Sequence, residues 1–266
     1  MKVMDVHTVQ VFGMRNQGEI MKYSKANTKL KKLQKKTGRK VYSFDLLSGH
    51  TCPGAKDCLA KVVYNWDDDS YKLQDGPDQQ FRCYSASQEA QYTATYNHRL
   101  ANWESVQELD STNQIASGLC AELPNDAETV RIHSAGDFFK KSYFQAWILV
   151  AKRNPDKIFY AYTKMNPFWV KNRAIMPDNL IMTASRGGKW DHLIDEHNLR
   201  EVVVVYSKGE ADTLGLELDN DDSHAADPNR KDQNFALLIH GMGPAGSRQA
   251  KIAASVRKPK ISALTI

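Results

Sequence analysis

No stretch of this chain approaches the roughly 20 consecutive apolar residues that an α-helix needs to cross a bilayer, so no membrane partner is expected. The first residues, MKVMDVHTVQVFG, also lack the apolar run of a signal peptide, and the expected location is the cytoplasm. Cysteine is scarce: four in 266 residues is too few for the disulfide framework of a small secreted protein. The four are expected as thiols or ligands. Internal repeats are missing, which excludes a solenoid or a propeller. Acid is missing altogether between Met21 and Lys40.

That acid-free stretch is rich in base. It holds nine Lys or Arg residues: Lys22, Lys25, Lys29, Lys31, Lys32, Lys35, Lys36, Arg39 and Lys40. A C-terminal tail adds Arg248, Lys251, Arg257, Lys258 and Lys260, although the net charge of the whole chain is only +5. Clustered lysine neutralises phosphates and releases their counterions, so nucleic acid or a nucleotide is the expected partner of Lys22–Lys40 and the tail. Two plainer roles are a solvated helix face and a cover over the acidic patches Asp67–Asp69 and Asp219–Asp222. Oligomeric state leaves no trace in the sequence.

Apolar runs alternate with helical patterns over the rest of the chain. Strands are expected at Val41–Leu47, Thr129–Ser134, Lys157–Thr163, Asn179–Ser185, Glu201–Ser207 and Phe235–Gly241. Helices are expected at Ser85–Leu109, Tyr143–Arg153, Phe168–Ile175, Lys189–His197 and Ser247–Val256. Asp67–Gln80 and Gly209–Gln233 read as long polar loops. The fold class is α/β, with a mostly parallel sheet and alternating helices. Runs such as VVVV suit strands buried on both faces. Six strands fit an open doubly wound sheet or a partial (β/α)6 TIM-like barrel. The organisation is a basic N-terminal segment, 1–40, and a single α/β domain, 41–266, with a cysteine-bearing loop region at 48–85.

Sites in parallel α/β proteins form at the carboxyl edge of the sheet. Reading that edge strand by strand gives His50, Cys52 and Cys58; then His133, Ser134, Gly136 and Asp137; then Thr163 and Lys164; then Ser185, Arg186 and Gly187; then Ser207, Lys208 and Glu210; and last His240 and Gly241. Helix caps explain some polar residues near strand ends, among them Ser142 and Asp178. They do not explain a charged or polar group after nearly every strand. His133, Asp137, Lys164 and Arg186 are therefore the candidate catalytic groups. GMGPAG, with Gly241, Gly243 and Gly246, matches GxGxxG between a strand and a helix, where backbone amides can cradle a phosphate; a tight turn needing glycine is the alternative.

Cys52, Cys58 and Cys83 all fall in the first third of the chain, near His50 and His98, and soft thiolates suit zinc or iron. Cys83 stands just ahead of a helix, where a thiolate is favoured. Cys120, in IASGLCAELP, reads as a small core residue.

SFDLLSGHTCPGAKDC, RCYSASQEAQY, YNHRLANW, RIHSAGDFF, IFYAYTK and FALLIHG..PAGS resemble the gene-product-88 family of phage and plasmid proteins. The resemblance implies a mobile-element origin and the cytoplasm of a bacterial host, but brings no established activity. More distantly, the order of parts is similar to radical S-adenosylmethionine proteins. That similarity implies a [4Fe-4S] cluster on Cys52, Cys58 and Cys83. It places Gly136, Asp137, Lys164 and Ser185 toward the nucleoside of S-adenosylmethionine, with GMGPAG near its adenine or ribose. Ser207, on the same rim, joins the cofactor-binding candidates. The usual spacing of that superfamily is CxxxCxxC, and here the third cysteine is displaced by a long insertion.

Three readings result. The first is an iron–sulfur, radical S-adenosylmethionine-like enzyme acting on a nucleotide or nucleic acid. The second is a non-catalytic nucleic-acid-binding protein with a zinc ion on Cys52, Cys58, Cys83 and either His50 or His98. The third is a metal-free phosphate- or nucleotide-handling enzyme in which Asp137, Lys164 and Arg186 are the electrostatic elements.

Overall fold

The computed structural model describes residues 21–65, 67–239 and 250–251. The chain enters through a short strand β1 (Ser24–Lys25) and helix α1 (Thr28–Thr37), then strand β2 (Val41–Phe44). A hairpin follows, β3 (Ala60–Asn65) and β4 (Ser70–Asp75), and then three helices: α2 (Tyr84–Gln91), α3 (Thr93–Gln107) and α4 (Thr112–Ala121). Strands and helices then alternate: β5 (Thr129–Ile132), α5 (Lys141–Arg153), β6 (Ile158–Thr163), α6 (Asn166–Asn172), β7 (Leu180–Ser185), α7 (His192–Glu196) and β8 (Glu201–Val205). The last described elements are α8 (Lys208–Leu214), β9 (Glu217–Leu218), α9 (Ser223–Ala226) and β10 (Phe235–Leu238).

Eight of these strands form one sheet in the order β1-β2-β5-β6-β7-β8-β10-β9. All its pairs are parallel except β1 against β2. The six strands expected from the apolar runs are its centre, and the mostly parallel α/β class is what the structure shows. From β2 to β10 they lie in sequence order, as in a (β/α) barrel, and among the described residues the two ends of the sheet do not pair with each other.

The two faces are covered differently. Phe44, Val130, Ile132, Phe159, Ala161, Leu180, Met182 and Ala184 pack with Ile115, Trp147, Trp169 and Ile194 from the connecting helices. The opposite face, with Val41, Tyr160, Ile181, Val202 and Phe235, is covered by Leu30 and Leu33 of α1 and Ala225 and Ala226 of α9. Strict alternation in register explains the division: Phe159 and Tyr160 face opposite ways. The described part of the basic segment thus packs into the same unit as residues 41 onward.

Several sequence expectations change. The helix expected over Ser85–Leu109 breaks at Tyr92, whose extended backbone (φ −126°, ψ 98°) separates α2 from α3. Asp67–Gln80 is not all loop, because β4 pairs antiparallel with β3 over six residue pairs. Gly209–Gln233 holds α8, β9 and α9 rather than one polar loop. Ser142 is no cap: α5 starts at Lys141 with Lys140 ahead of it. Asp178 precedes a strand and pairs with Lys231 at 3.0 Å. Of the last expected helix, only Ala250 and Lys251 are described, and both are helical.

One buried ion cluster joins the second face. Asp222, fully buried, pairs with Lys29 at 2.6 Å and Arg131 at 2.5 Å, and accepts from the hydroxyls of Tyr160 (3.0 Å) and Tyr162 (3.1 Å). Burial opposes its charge, but the Arg131 and Lys29 cations hold its carboxyl below the usual range. Asp222 has a left-handed backbone (φ 63°), which asparagine tolerates. Asp222→Asn therefore isolates the charge: it should cost about 3–5 kcal/mol in urea unfolding, because two cations lose their partner. Asp221→Asn, which breaks only the outer Lys36 pair at 3.4 Å, should cost under about 1 kcal/mol.

Candidate functional site

Five expected residues converge at the carboxyl edge of β2, β5, β6 and β7: Cys52, Cys58, Asp137, Lys164 and Ser185. Cys83, at the start of α2, joins them. The insertion between Cys58 and Cys83 closes on itself. Its hairpin is clamped at the base by Gly76 N–H to Leu59 O (2.7 Å) and by Arg82 donating to both Asp75 carboxylate oxygens. The amides of Gln80 (2.8 Å) and Phe81 (3.1 Å) then donate to the Asp57 carbonyl, so the chain returns beside Cys58.

The cysteine loop is also tied to the end of β7. Ala55 and Gly188 form an antiparallel bridge, Lys189 N–H donates to Gly54 O (2.9 Å), and Asp57 N–H donates to Gly187 O (3.0 Å). Gly54 has to be glycine, since a Cβ there would stand 2.5 Å from the Lys164 carbonyl oxygen.

All four cysteines are free thiols. Burial raises Cys52 most, and the charges of Asp137, Cys83 and Cys58 raise it further. Burial pushes Cys58 up to about 11, with Lys164 opposing and Cys83 and Asp137 adding. Cys83 is raised by burial too, while the Ala86 and Ser85 amides in the first turn of α2 and the Ser48 hydroxyl oppose the rise. The three residues are partly buried, and their sulfurs lie within electrostatic reach of one another. Among the described residues, no three His, Cys, Asp or Glu side chains stand as ligands of one metal ion. His50 Nε2 is hydrogen-bonded to the Val62 carbonyl (2.7 Å), and His98 Nε2 to the Ser24 hydroxyl (3.2 Å).

The expected catalytic groups are held by structural bonds. Asp137 accepts from the Phe138 amide (2.7 Å), the Lys164 amide (2.8 Å) and the Thr163 hydroxyl (2.7 Å); burial raises its carboxyl and these donors oppose the rise. Lys164 Nζ donates to Ser185 O and Oγ (2.9 Å each) and to Arg186 O (2.7 Å). Arg186 pairs with Glu201 and Asp195. Ser207 caps α8, accepting from the Glu210 amide at 3.1 Å. Gly136 sits at φ 87°, where a Cβ would meet Thr51 Oγ1 at 2.6 Å. His133 adopts a left-handed backbone (φ 69°), and its Nε2 hydrogen-bonds the Tyr143 hydroxyl at 2.8 Å. Cys120 lies against the main core, as its apolar context suggests. His240, Gly241, Gly243 and Gly246 lie outside the described residues, as do Arg248, Arg257, Lys258 and Lys260 of the tail.

Sequence reasoning missed the acids that hold this edge together, Asp45 and Glu89 buried and Asp191 half-buried. Asp45 accepts from the Ser134 and Ala135 amides and the Ser43 hydroxyl. Glu89 accepts from the Ser48 amide (3.0 Å), the Ser48 hydroxyl (2.9 Å) and Arg99 (2.9 Å). Asp191 accepts from the amides of Gly187 (2.8 Å) and Gly188 (2.9 Å). The available signal was an acid inside an apolar run, as in SFDLL.

Comparison with known proteins now adds to the geometry. The family model described as Gene product 88 matches residues 21–258. The chain belongs to the gene product 88 family. Its similar relatives include the Gene 88 protein of Mycobacterium phage L5, 30% identical over 142 residues, which is 50% of this chain and 51% of that protein. The Gene 88 protein of Mycobacterium phage D29 is 29% identical over 125 residues, 44% of each chain. The chain spans about half the length of the curated relatives it matches. No solved structure matches. The gene product 88 match takes in the whole cysteine loop, the hairpin and every strand of the sheet.

Two outcomes follow from the burial of this edge. In metal-free native protein, Cys52, Cys58 and Cys83 should react with iodoacetamide at pH 8 at least tenfold more slowly than in urea, as read by mass spectrometry of the labelled peptides. His133, lowered to about 3 by burial and then by the Arg131 cation, is neutral when folded but titrates near 6.5 when unfolded. Its contribution is complete above about pH 6.5 and is lost as the pH falls toward 3, amounting at most to roughly 4 kcal/mol. His133→Asn should flatten the stability–pH profile in that window.

Proposed function

We propose that this chain is an iron–sulfur protein in which Cys52, Cys58 and Cys83 hold one cluster at the carboxyl edge of the sheet. The observation that carries the reading is the meeting of three partly buried thiols, two from one loop and the third brought back by a hairpin that closes on its own base. Their chemistry fits the group. Sulfur is the donor that iron–sulfur clusters take, the three cysteines are partly shielded from water, and amides and a hydroxyl face the Cys83 sulfur, a recognised means of tuning such sites.

A polynuclear cluster spreads its ligand sulfurs more widely than one zinc ion does. The candidate fourth zinc ligands, His50 and His98, each already hold a hydrogen bond through Nε2.

Three cysteines leave one iron without a protein ligand. When bound, a cluster of that kind can deliver an electron to S-adenosylmethionine, the chemistry implied by the more distant resemblance, and a nucleotide or nucleic acid is the substrate class we assign to it. The chain's own part is to hold and to exclude. Glu89 and Arg99 fix Ser48 beneath the loop, Asp137 fixes the backbone of Lys164, and Lys164 bridges β6 to β7 beside Cys58. Its ammonium is also the nearby cation that offsets negative charge on that sulfur.

Protein expressed with iron and purified without oxygen should be brown and carry about four irons and four sulfides per chain. Cys52→Ser, Cys58→Ser and Cys83→Ser should each lose most of that iron, and Cys120→Ser should keep it. A colourless preparation, or iron that survives all three substitutions, would overturn the reading. One stoichiometric zinc on the same cysteines would transfer the site to the zinc alternative.

A further inference from the structure

Helix α1 spends its lysines in two ways. Asn27 caps its start, accepting from the Leu30 amide at 3.0 Å, and Gly38 (φ 71°) ends it. Leu30 and Leu33 are buried, and they turn one side of the helix into the core. Lys29 and Lys36 flank that side and are consumed by Asp222, by Asp221 and by the Ser223 hydroxyl (2.8 Å). These two lysines do what a cover over the Asp219–Asp222 patch requires.

At about 100° per residue, Thr28, Lys31, Lys32 and Lys35 occupy the remaining arc. All four are exposed. None of the three lysines has a carboxylate partner among the described residues. Lys22, Lys25 and Lys40 beside the helix are exposed and equally unpaired there. Packing explains none of these charges. Lys31 and Lys35 stand one turn apart, and like charges at that spacing each cost a helix a few tenths of a kcal/mol.

We infer that the outer stripe of α1, Lys31, Lys32 and Lys35 flanked by Lys22, Lys25 and Lys40, is a docking surface for the phosphodiester backbone of a nucleic acid. Lysines one turn apart are about 6 Å apart along the helix axis. Phosphates on one strand advance about 3.4 Å of duplex axis each, so the pair addresses every second phosphate. A bilayer suits the stripe poorly. Membrane-surface helices bury an exposed apolar face, and here the apolar residues of α1 are already inside the protein. Lysine reads charge rather than base edges, so the surface binds without regard to sequence. This inference stands apart from the cysteine site and requires no metal.

The test is fluorescence anisotropy of the full chain with a labelled 20-base-pair duplex and the matching single strand, across about 50–300 mM salt. Wild type should bind, and log K should fall steeply with log salt. Lys31→Gln/Lys32→Gln/Lys35→Gln should bind at least tenfold more weakly at low salt. Its slope on duplex should be shallower by nearly three, about 0.9 for each phosphate no longer neutralised. These lysines bond nothing in the fold, so the variant's urea midpoint should stay at the wild-type value. A variant that keeps the wild-type slope overturns the inference. So does wild type that ignores both nucleic acids, or that binds anionic phosphatidylserine vesicles and neither nucleic acid. Cys52→Ser should leave the binding unchanged, which separates this result from the fate of the iron–sulfur reading.

Discussion

Buried backbone amides at the carboxyl edge of a parallel sheet need acceptors, and this requirement organises the molecule. Strands pair with strands, but the loops beyond them are partly shielded from water with no ladder to join. Here the acceptors are carboxylates. Asp45 takes the amides after β5, Asp137 those of Phe138 and Lys164, Asp191 those of Gly187 and Gly188, and Glu89 that of Ser48. A hydrogen bond to an ionised acceptor is roughly twice as strong as a neutral one, and leaving a buried amide unpaired costs about 1–3 kcal/mol. The cysteine loop can hold a fixed shape only because this edge does.

The same logic separates the two kinds of charge on the chain. Ions inside are hydrogen-bonded, and some are also paired: Asp222 with Arg131 and Lys29, and Glu89 with Arg99. Ions on the outer side of α1 find no partner among the described residues. A lysine-rich helix is thus two structures in one, an inner seam that locks α1 and α9 to the sheet and an outer stripe that contributes nothing to packing. Arg186, half-exposed, is paired as well, with Glu201 and Asp195.

What the sequence disclosed, and what it withheld, follows from the range of the forces involved. The six central strands were legible because burial on both faces demands uninterrupted apolar runs, as in Leu180–Ala184. The break at Tyr92 was not, since the helical spacing of Tyr92, Tyr96, Leu100 and Trp103 runs straight across it. Strand β4 was hidden because SYKLQD pairs only with its hairpin partner and buries little. The rim residues were correctly placed at strand ends, but their partners were invisible. Asp137 and Lys164 read as reactive groups, and the amides and carbonyls they satisfy could not be read from the sequence. For Cys52, Cys58 and Cys83 residue type alone carried the expectation, and the hairpin that returns the chain beside Asp57 was not readable from their spacing.

That last point bears on the departure from the CxxxCxxC spacing. Twenty-four residues separate Cys58 from Cys83. The entropy of closing a loop grows only as the logarithm of its length. Lengthening a two-residue link to this size costs about 2 kcal/mol, at roughly 0.6 kcal/mol per doubling. The insertion is also far from slack: β3 and β4 pair along six positions, Gly76 closes onto Leu59, and Arg82 grips Asp75 at the base. Each of these contacts shortens the effective loop until Cys83 stands only a few bonded steps from Asp57 and Cys58. Distance along the chain is thereby replaced by distance across a hairpin stem. A thiol site built this way depends on the stem's integrity more than on any spacing rule, and a search for such sites by spacing alone will pass over them.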